Sequence, residues 1–175
     1  MRPGAVPSLA AHLSALSEPL ARAALLRCCA SSRWAAAMVS ARPFASDAAV
    51  LAAADRAWWA LGPDDWLEAF AAHPRIGDRA SADPRHAATR EWSRREQASA
   101  ATADEGVRAA LAAGNADYER RFGHVFLIRA AGRSADEILA ELRRRLGNDP
   151  DAELREAAGE QATITRLRLE RLAVP

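Results

Sequence analysis

The sequence predicts an all-α fold in a single domain, and three observations predict it. Alanine, the strongest helix former, fills 45 of the 175 positions. Apolar residues recur at three- and four-residue spacing between Pro, Gly, Ser and Asp punctuation, which is the period of an amphipathic helix. Only His124 to Ala131 (HVFLIRAA) reads as a strand, and one strand builds no sheet. A chain of this length suits one ordinary domain and buries a core without disulfide staples.

The elements follow from the punctuation. An N-terminal helix carries His12, and Ser17 and Pro19 flank a helical run from Ala21 to Met38 bearing Leu25, Leu26, Cys29 and Trp34. Ser46 is an N-cap for Asp47 to Leu61, where Val50, Leu51, Ala54, Trp58 and Leu61 share a stripe. Pro63 suits the first turn of a short helix, Asp64 and Asp65 complement its dipole, and Pro74 ends it. Gly77 to Pro84 reads as a surface loop, and helices are expected over His86 to Thr102 and from Glu105 or Gly106 to Phe122, stopped by Gly123. Ser134-Ala-Asp-Glu137 is a capping box opening a helix that closes near Gly147. Asn148-Asp149-Pro150 starts the last helix, which runs to about Leu172 with Leu154, Ala158, Ile164, Leu167 and Leu169 along it.

The charge inventory excludes several chemistries. All 24 basic residues are arginine, so a Schiff-base lysine, a phosphate-gripping lysine and a lysine base are ruled out. A formal charge of +1 argues against nucleic-acid binding as the main function. Adjacent Cys28 and Cys29 point about 100° apart on a helix, so they form neither an ordinary disulfide nor a zinc clamp and read as small buried hydrophobes. The chain has no membrane-length apolar run and no signal-peptide core, so a soluble, cytoplasmic protein is expected.

Four histidines can be weighed singly. His12, His86 and His124 have no metal-ligand spacing to a partner, so they read as structural or solvated and no metal site is expected. His73 differs, because Pro74 stops its helix and Gly77 lets the chain turn, which presents the imidazole at an element end. It is either a site residue or a cap on its helix's last carbonyls. Ser93, Glu96 and Gln97 stand at i, i+3 and i+4, either an ordinary solvated face or a hydroxyl, carboxylate and amide aimed at a ligand rich in amide groups. Arg166 and Arg168 cannot share a helix face; one can turn inward, where an unpaired guanidinium needs a carboxylate or an anionic ligand. Arg143-Arg144-Arg145 reads as a solvated helix surface.

Taken together, these segments resemble the 2-oxo-4-hydroxy-4-carboxy-5-ureidoimidazoline (OHCU) decarboxylases of urate degradation. The matching blocks are Phe70-Ala-Ala-His73-Pro74-Arg75-Ile76-Gly77-Asp78 and Ser93-x-x-Glu96-Gln97. They continue with Asn115-x-x-Tyr118-Glu119-x-x-Phe122-Gly123-x-x-Phe126-Leu127-Ile128-x-Ala130-x-Gly132-Arg133-Ser134 and Ile164-x-x-Leu167-Arg168-Leu169. The likeness runs from about Pro43 to Leu172, with Trp34 and Met38 besides; Arg129 and a slightly long stretch between Gly77 and Ser93 depart from it.

The resemblance implies an all-helical, cofactor-free carboxy-lyase, usually a homodimer, that yields (S)-allantoin and carbon dioxide. It places the catalytic histidine on His73, and catalytic partners on Glu96 and Arg168. Substrate binding falls on Pro74, Ser93, Gln97 and the segment Phe126, Leu127, Ile128, Arg129 and Ala130. The implied partner is a small-molecule substrate, with neither nucleic acid nor membrane. A helical interaction domain without the reaction and an arginine-rich DNA-binding module are the competing readings; the second predicts binding that weakens steeply with salt.

Overall fold

A computed structural model describes residues 8–77 and 90–172. Among them are ten helices and no strand: α1 (Leu9–Ala15), α2 (Glu18–Cys28), α3 (Ser32–Ser40), α4 (Asp47–Trp59), α5 (Pro63–Ala71), α6 (Arg90–Glu96), α7 (Ala98–Ala101), α8 (Glu105–Phe122), α9 (Ala135–Arg145) and α10 (Pro150–Leu172). The expected loop beyond Gly77, with Asp78 and His86, lies outside the described residues. The chain divides into two compact units, one comprising Met1–Trp66 with Ala162–Pro175, the other Leu67–Gln161.

In the first unit, local caps set the helix starts. Ser46 accepts from the Ala49 amide and opens α4 as the sequence predicts. The run from Ala21 to Met38 is not one helix. The backbone is extended at Cys29, and Ser31 accepts from the Trp34 amide to begin α3 afresh. A side chain that satisfies a helix's unpaired amides does so best at a start, so this serine opens a new helix after the chain has left α2 at Cys29. Both cysteines are buried and unbridged. Trp34, fully buried, donates through its indole N–H to the Ala54 carbonyl at 3.1 Å, pinning α3 to α4. Asp47 accepts from the Ala10 amide at 2.8 Å, tying α1 to α4.

In the second unit, α8 and α9 pack on a core of Leu111, Tyr118, Phe126, Ile128, Ile138 and Leu142. Gly123 ends α8 as the sequence anticipates, and at φ 75° it does so as a left-handed C-cap. The Ser134–Glu137 capping box is present in both directions. The helix expected over His86 to Thr102 is described from Arg90, and it is interrupted at Gln97 between α6 and α7.

Two expectations fail for one reason. The strand candidate from His124 to Ala131 pairs with no strand among the described residues; instead side chains satisfy its backbone. Arg145 Nη1 donates to the Leu127 carbonyl at 2.8 Å, and Glu160 accepts from the Arg129 amide at 2.7 Å. The second failure is Arg145 itself, which is fully buried rather than solvated. Three consecutive helical residues cannot all face water, and Arg145 shares the stripe of Ile138 and Leu142 at i+7 and i+3. It stays charged there because Glu153, also fully buried, receives its Nε and Nη2 at 2.8 and 2.5 Å. The Tyr118 hydroxyl donates to the same carboxylate, and burial, reinforced by Glu153, pushes that phenol well above its ordinary range.

Candidate active site

The second unit brings several sequence-predicted site residues together. His73 follows α5 directly, its amide donating to the Phe70 carbonyl at 3.0 Å, and only 7% of it is exposed. Pro74 has no amide proton and turns the chain out of the helix. Its carbonyl accepts from Gln97 Nε2 at 3.4 Å, so the Ser93–Gln97 segment and the His73–Pro74 segment are neighbours. Ser93 is buried, Glu96 and Gln97 are partly buried, and the Gln97 amide closes the turn onto the Ser93 carbonyl at 3.0 Å. Gln97 stands at the break between α6 and α7, which frees its side chain to reach across to Pro74.

The segment from Phe126 to Ala130 lies in the same unit. Phe126, Leu127, Ile128 and Ala130 are buried, while Arg129 is partly exposed and donates from Nη1 to the Ala131 carbonyl. Its Leu127 carbonyl and Arg129 amide are the groups held by Arg145 and Glu160, so those two hold the segment in shape. At its start, His124 packs against Phe70 with ring centroids 5.3 Å apart and the rings tilted by 53°, joining it to the end of α5 that carries His73. Burial holds the His124 imidazole below its ordinary pKa of 6.5.

Arg168 belongs to the first unit, on α10. It is 1% exposed and lies on the buried stripe of Ile164 and Thr165, whereas Arg166 is exposed and ion-paired with Asp55. Of the two arginines, Arg168 is therefore the inward one.

Sequence reasoning gave no role to two residues that touch the His73 segment. Asn115, 3% exposed, donates from Nδ2 to the Ile76 carbonyl at 2.9 Å. Glu119, one turn later on α8, takes Arg75 Nε and Nη2 on its two oxygens at 2.6 and 2.7 Å. The available signal was their i, i+4 spacing, which puts both on one helix face. Among the described residues, no group of three or more His, Cys, Asp or Glu side chains forms a metal cradle. No described helix is long and apolar enough to cross a membrane.

A family model described as OHCU decarboxylase matches residues 14–170. The chain belongs to the OHCU decarboxylase family. This decarboxylase-family chain is 39% identical over 149 residues to the uric acid degradation bifunctional protein TTL of Arabidopsis thaliana. The match covers 83% of the chain but 45% of that relative, so the chain spans less than half of the plant protein's length. It is 36% identical over 138 residues to the 2-oxo-4-hydroxy-4-carboxy-5-ureidoimidazoline decarboxylase of Amia calva, covering 78% of this chain and 77% of that one. Among solved structures, an OHCU decarboxylase crystallised in the presence of (S)-allantoin is similar at TM-score 0.75 and 33% identity, over 87% of this chain and 99% of that one. An (S)-allantoin synthase structure, at TM-score 0.66 and 16% identity, shares the fold.

Proposed function

We propose that this protein is a carboxy-lyase that converts the ureidoimidazoline to (S)-allantoin and carbon dioxide, without a cofactor, in urate degradation. The observation that supports it most directly is the Gln97–Pro74 hydrogen bond, which joins the two family segments bearing His73 and Glu96. In the reaction the bond to the carboxylate breaks and its electron pair enters the ring. The adjacent carbon–nitrogen double bond receives it and the ring nitrogen takes a proton from water, so the substrate is its own electron sink. The hydroxyl proton then passes to Glu96 as the carbon–oxygen bond of the decarboxylated carbon becomes a carbonyl. His73, as general acid, delivers a proton to one face of the neighbouring ring carbon, which sets the S configuration.

Arg168 stabilises the negative charge that the carboxylate brings, and Pro74, Ser93, Gln97 and the backbone from Phe126 to Ala130 bind the urea and ring groups. A well-placed general acid or base contributes about 10²–10⁴-fold. Residues 1–175 then act as one functional domain. On this reading the enzyme is also a cytoplasmic homodimer, a state that analytical ultracentrifugation reads directly.

The test follows circular dichroism of substrate made fresh from urate by urate oxidase and hydroxyisourate hydrolase. A lasting (S)-allantoin signal that disappears in His73→Ala is the expected result. Racemic product at the uncatalysed rate, from folded protein, overturns the enzyme reading and leaves a helical interaction domain.

A further inference from the structure

Four contacts converge on the four residues from His73 to Ile76, and α8 supplies two of them. Asn115 Nδ2 holds the Ile76 carbonyl at 2.9 Å, and Glu119 grips the Arg75 guanidinium with both oxygens. Gln97 holds the Pro74 carbonyl, and the Ile76 side chain sits in the α8–α9 core. Immediately afterwards Gly77, at φ 84°, turns the chain away. Asn115 is costly where it stands, because its amide nitrogen faces Ile76 and its buried Oδ1 then has no hydrogen-bond partner among the described residues. An apolar side chain of that volume would avoid the cost. What the asparagine adds is a fixed position for the backbone three residues beyond His73.

We infer that Asn115 and Glu119 are positioning residues: one face of α8 clamps the His73-Pro74-Arg75-Ile76 segment and so sets the direction in which the imidazole is presented. The inference deepens the decarboxylase reading and rests on it. A reacting group displaced by about 1 Å can lose on the order of 10²-fold in rate, so a clamp two or three residues from the acid acts through geometry alone. The bidentate Arg75–Glu119 pair restrains one end of this segment in two directions, which a single hydrogen bond does not.

The experiment compares Asn115→Leu, Glu119→Ala and Arg75→Ala with wild type, reading kcat, KM and thermal midpoint, with Glu119→Gln as the conservative variant. Arg75 is 58% exposed in its side chain, so Arg75→Ala breaks the same pair from the surface and spares the core. Each variant is expected to lose about 10–100-fold in kcat while KM stays within about threefold, since the missing contact serves the transition state. Glu119→Gln keeps an acceptor for Arg75 and is expected to recover most of the activity. The Arg75→Ala/Glu119→Ala double variant should lose no more than either single one, because the two act as a unit.

Wild-type kcat in folded Arg75→Ala and Asn115→Leu, with only the thermal midpoint lowered, overturns the inference; so does a loss confined to KM. If folded wild type yields only racemic product at the uncatalysed rate, the decarboxylase reading fails first and is seen to fail separately; wild-type turnover in His73→Ala instead removes the acid that the clamp would orient and overturns the inference.

Discussion

Arg145 and Glu153 form an ion pair with neither side chain exposed, and the same guanidinium holds the Leu127 carbonyl at 2.8 Å. One buried cation therefore closes α9 onto α10 and shapes the extended segment. Removing one partner strands the other charge in the core, which costs about 3–5 kcal/mol. Arg145→Ala is expected to lose that much in urea unfolding, and Glu153→Gln less, because an amide still accepts from the guanidinium. Replacing both with apolar residues of matching volume should restore most of the stability, though not the hold on Leu127.

His124 makes stability depend on pH. Burial lowers its pKa, so between the folded value and the ordinary 6.5 the unfolded chain binds a proton that the folded protein does not. Stability is then complete above about pH 6.5 and falls as the pH drops through that window. Thermal midpoints measured from pH 7.5 downward should show the decline, and His124→Gln should remove its contribution. An unchanged slope in that variant would assign the decline to other groups.

At Gly114, α8 lies close against Leu142 of α9. A Cβ there would stand 2.6 Å from Leu142 Cδ2 and 3.2 Å from its Cγ, and Leu142 is fully buried. Gly114→Ala gains about 1 kcal/mol of helix propensity but overpacks the core at a cost of about 1–3 kcal/mol. Net destabilisation is expected in chemical denaturation. Combining it with Leu142→Ala should cost less than the two changes summed, since one relieves the other.

The two arginines of α10 should separate kinetically. Arg168 is 1% exposed, and its loss as a charge stabiliser is expected to lower kcat/KM on the order of 10²-fold in Arg168→Gln. Arg166 is exposed and paired with Asp55, so Arg166→Gln should leave turnover close to wild type. The reverse order would assign the charge-stabilising role to Arg166.

Much of the fold was legible in local sequence. Ser46, Ser134 and the residues before α8 cap helices through contacts three residues away, and those starts stand where the sequence places them. The candidate site was legible as motifs, and the structure puts two of them in contact through Gln97 and Pro74. The strand expected at His124–Ala131 misled because a buried apolar run looks the same whether a neighbouring strand or Arg145 and Glu160 satisfy its backbone. The break at Gln97 and the restart at Ser31 were missed because each is a polar residue within a run of helix formers.

By itself the sequence determined the all-α class, several helix starts and ends, part of the buried stripes and the family, since caps and periodicity act within one or two turns. Only the tertiary structure decided that Arg145 is buried while Arg144 is not, that Arg168 rather than Arg166 turns inward, and that Asn115 and Glu119 grip the His73 segment. Those contacts span 39 and 44 residues of chain, or depend on which face of a helix another element covers. Local propensity carries no information about partners that far away; packing does.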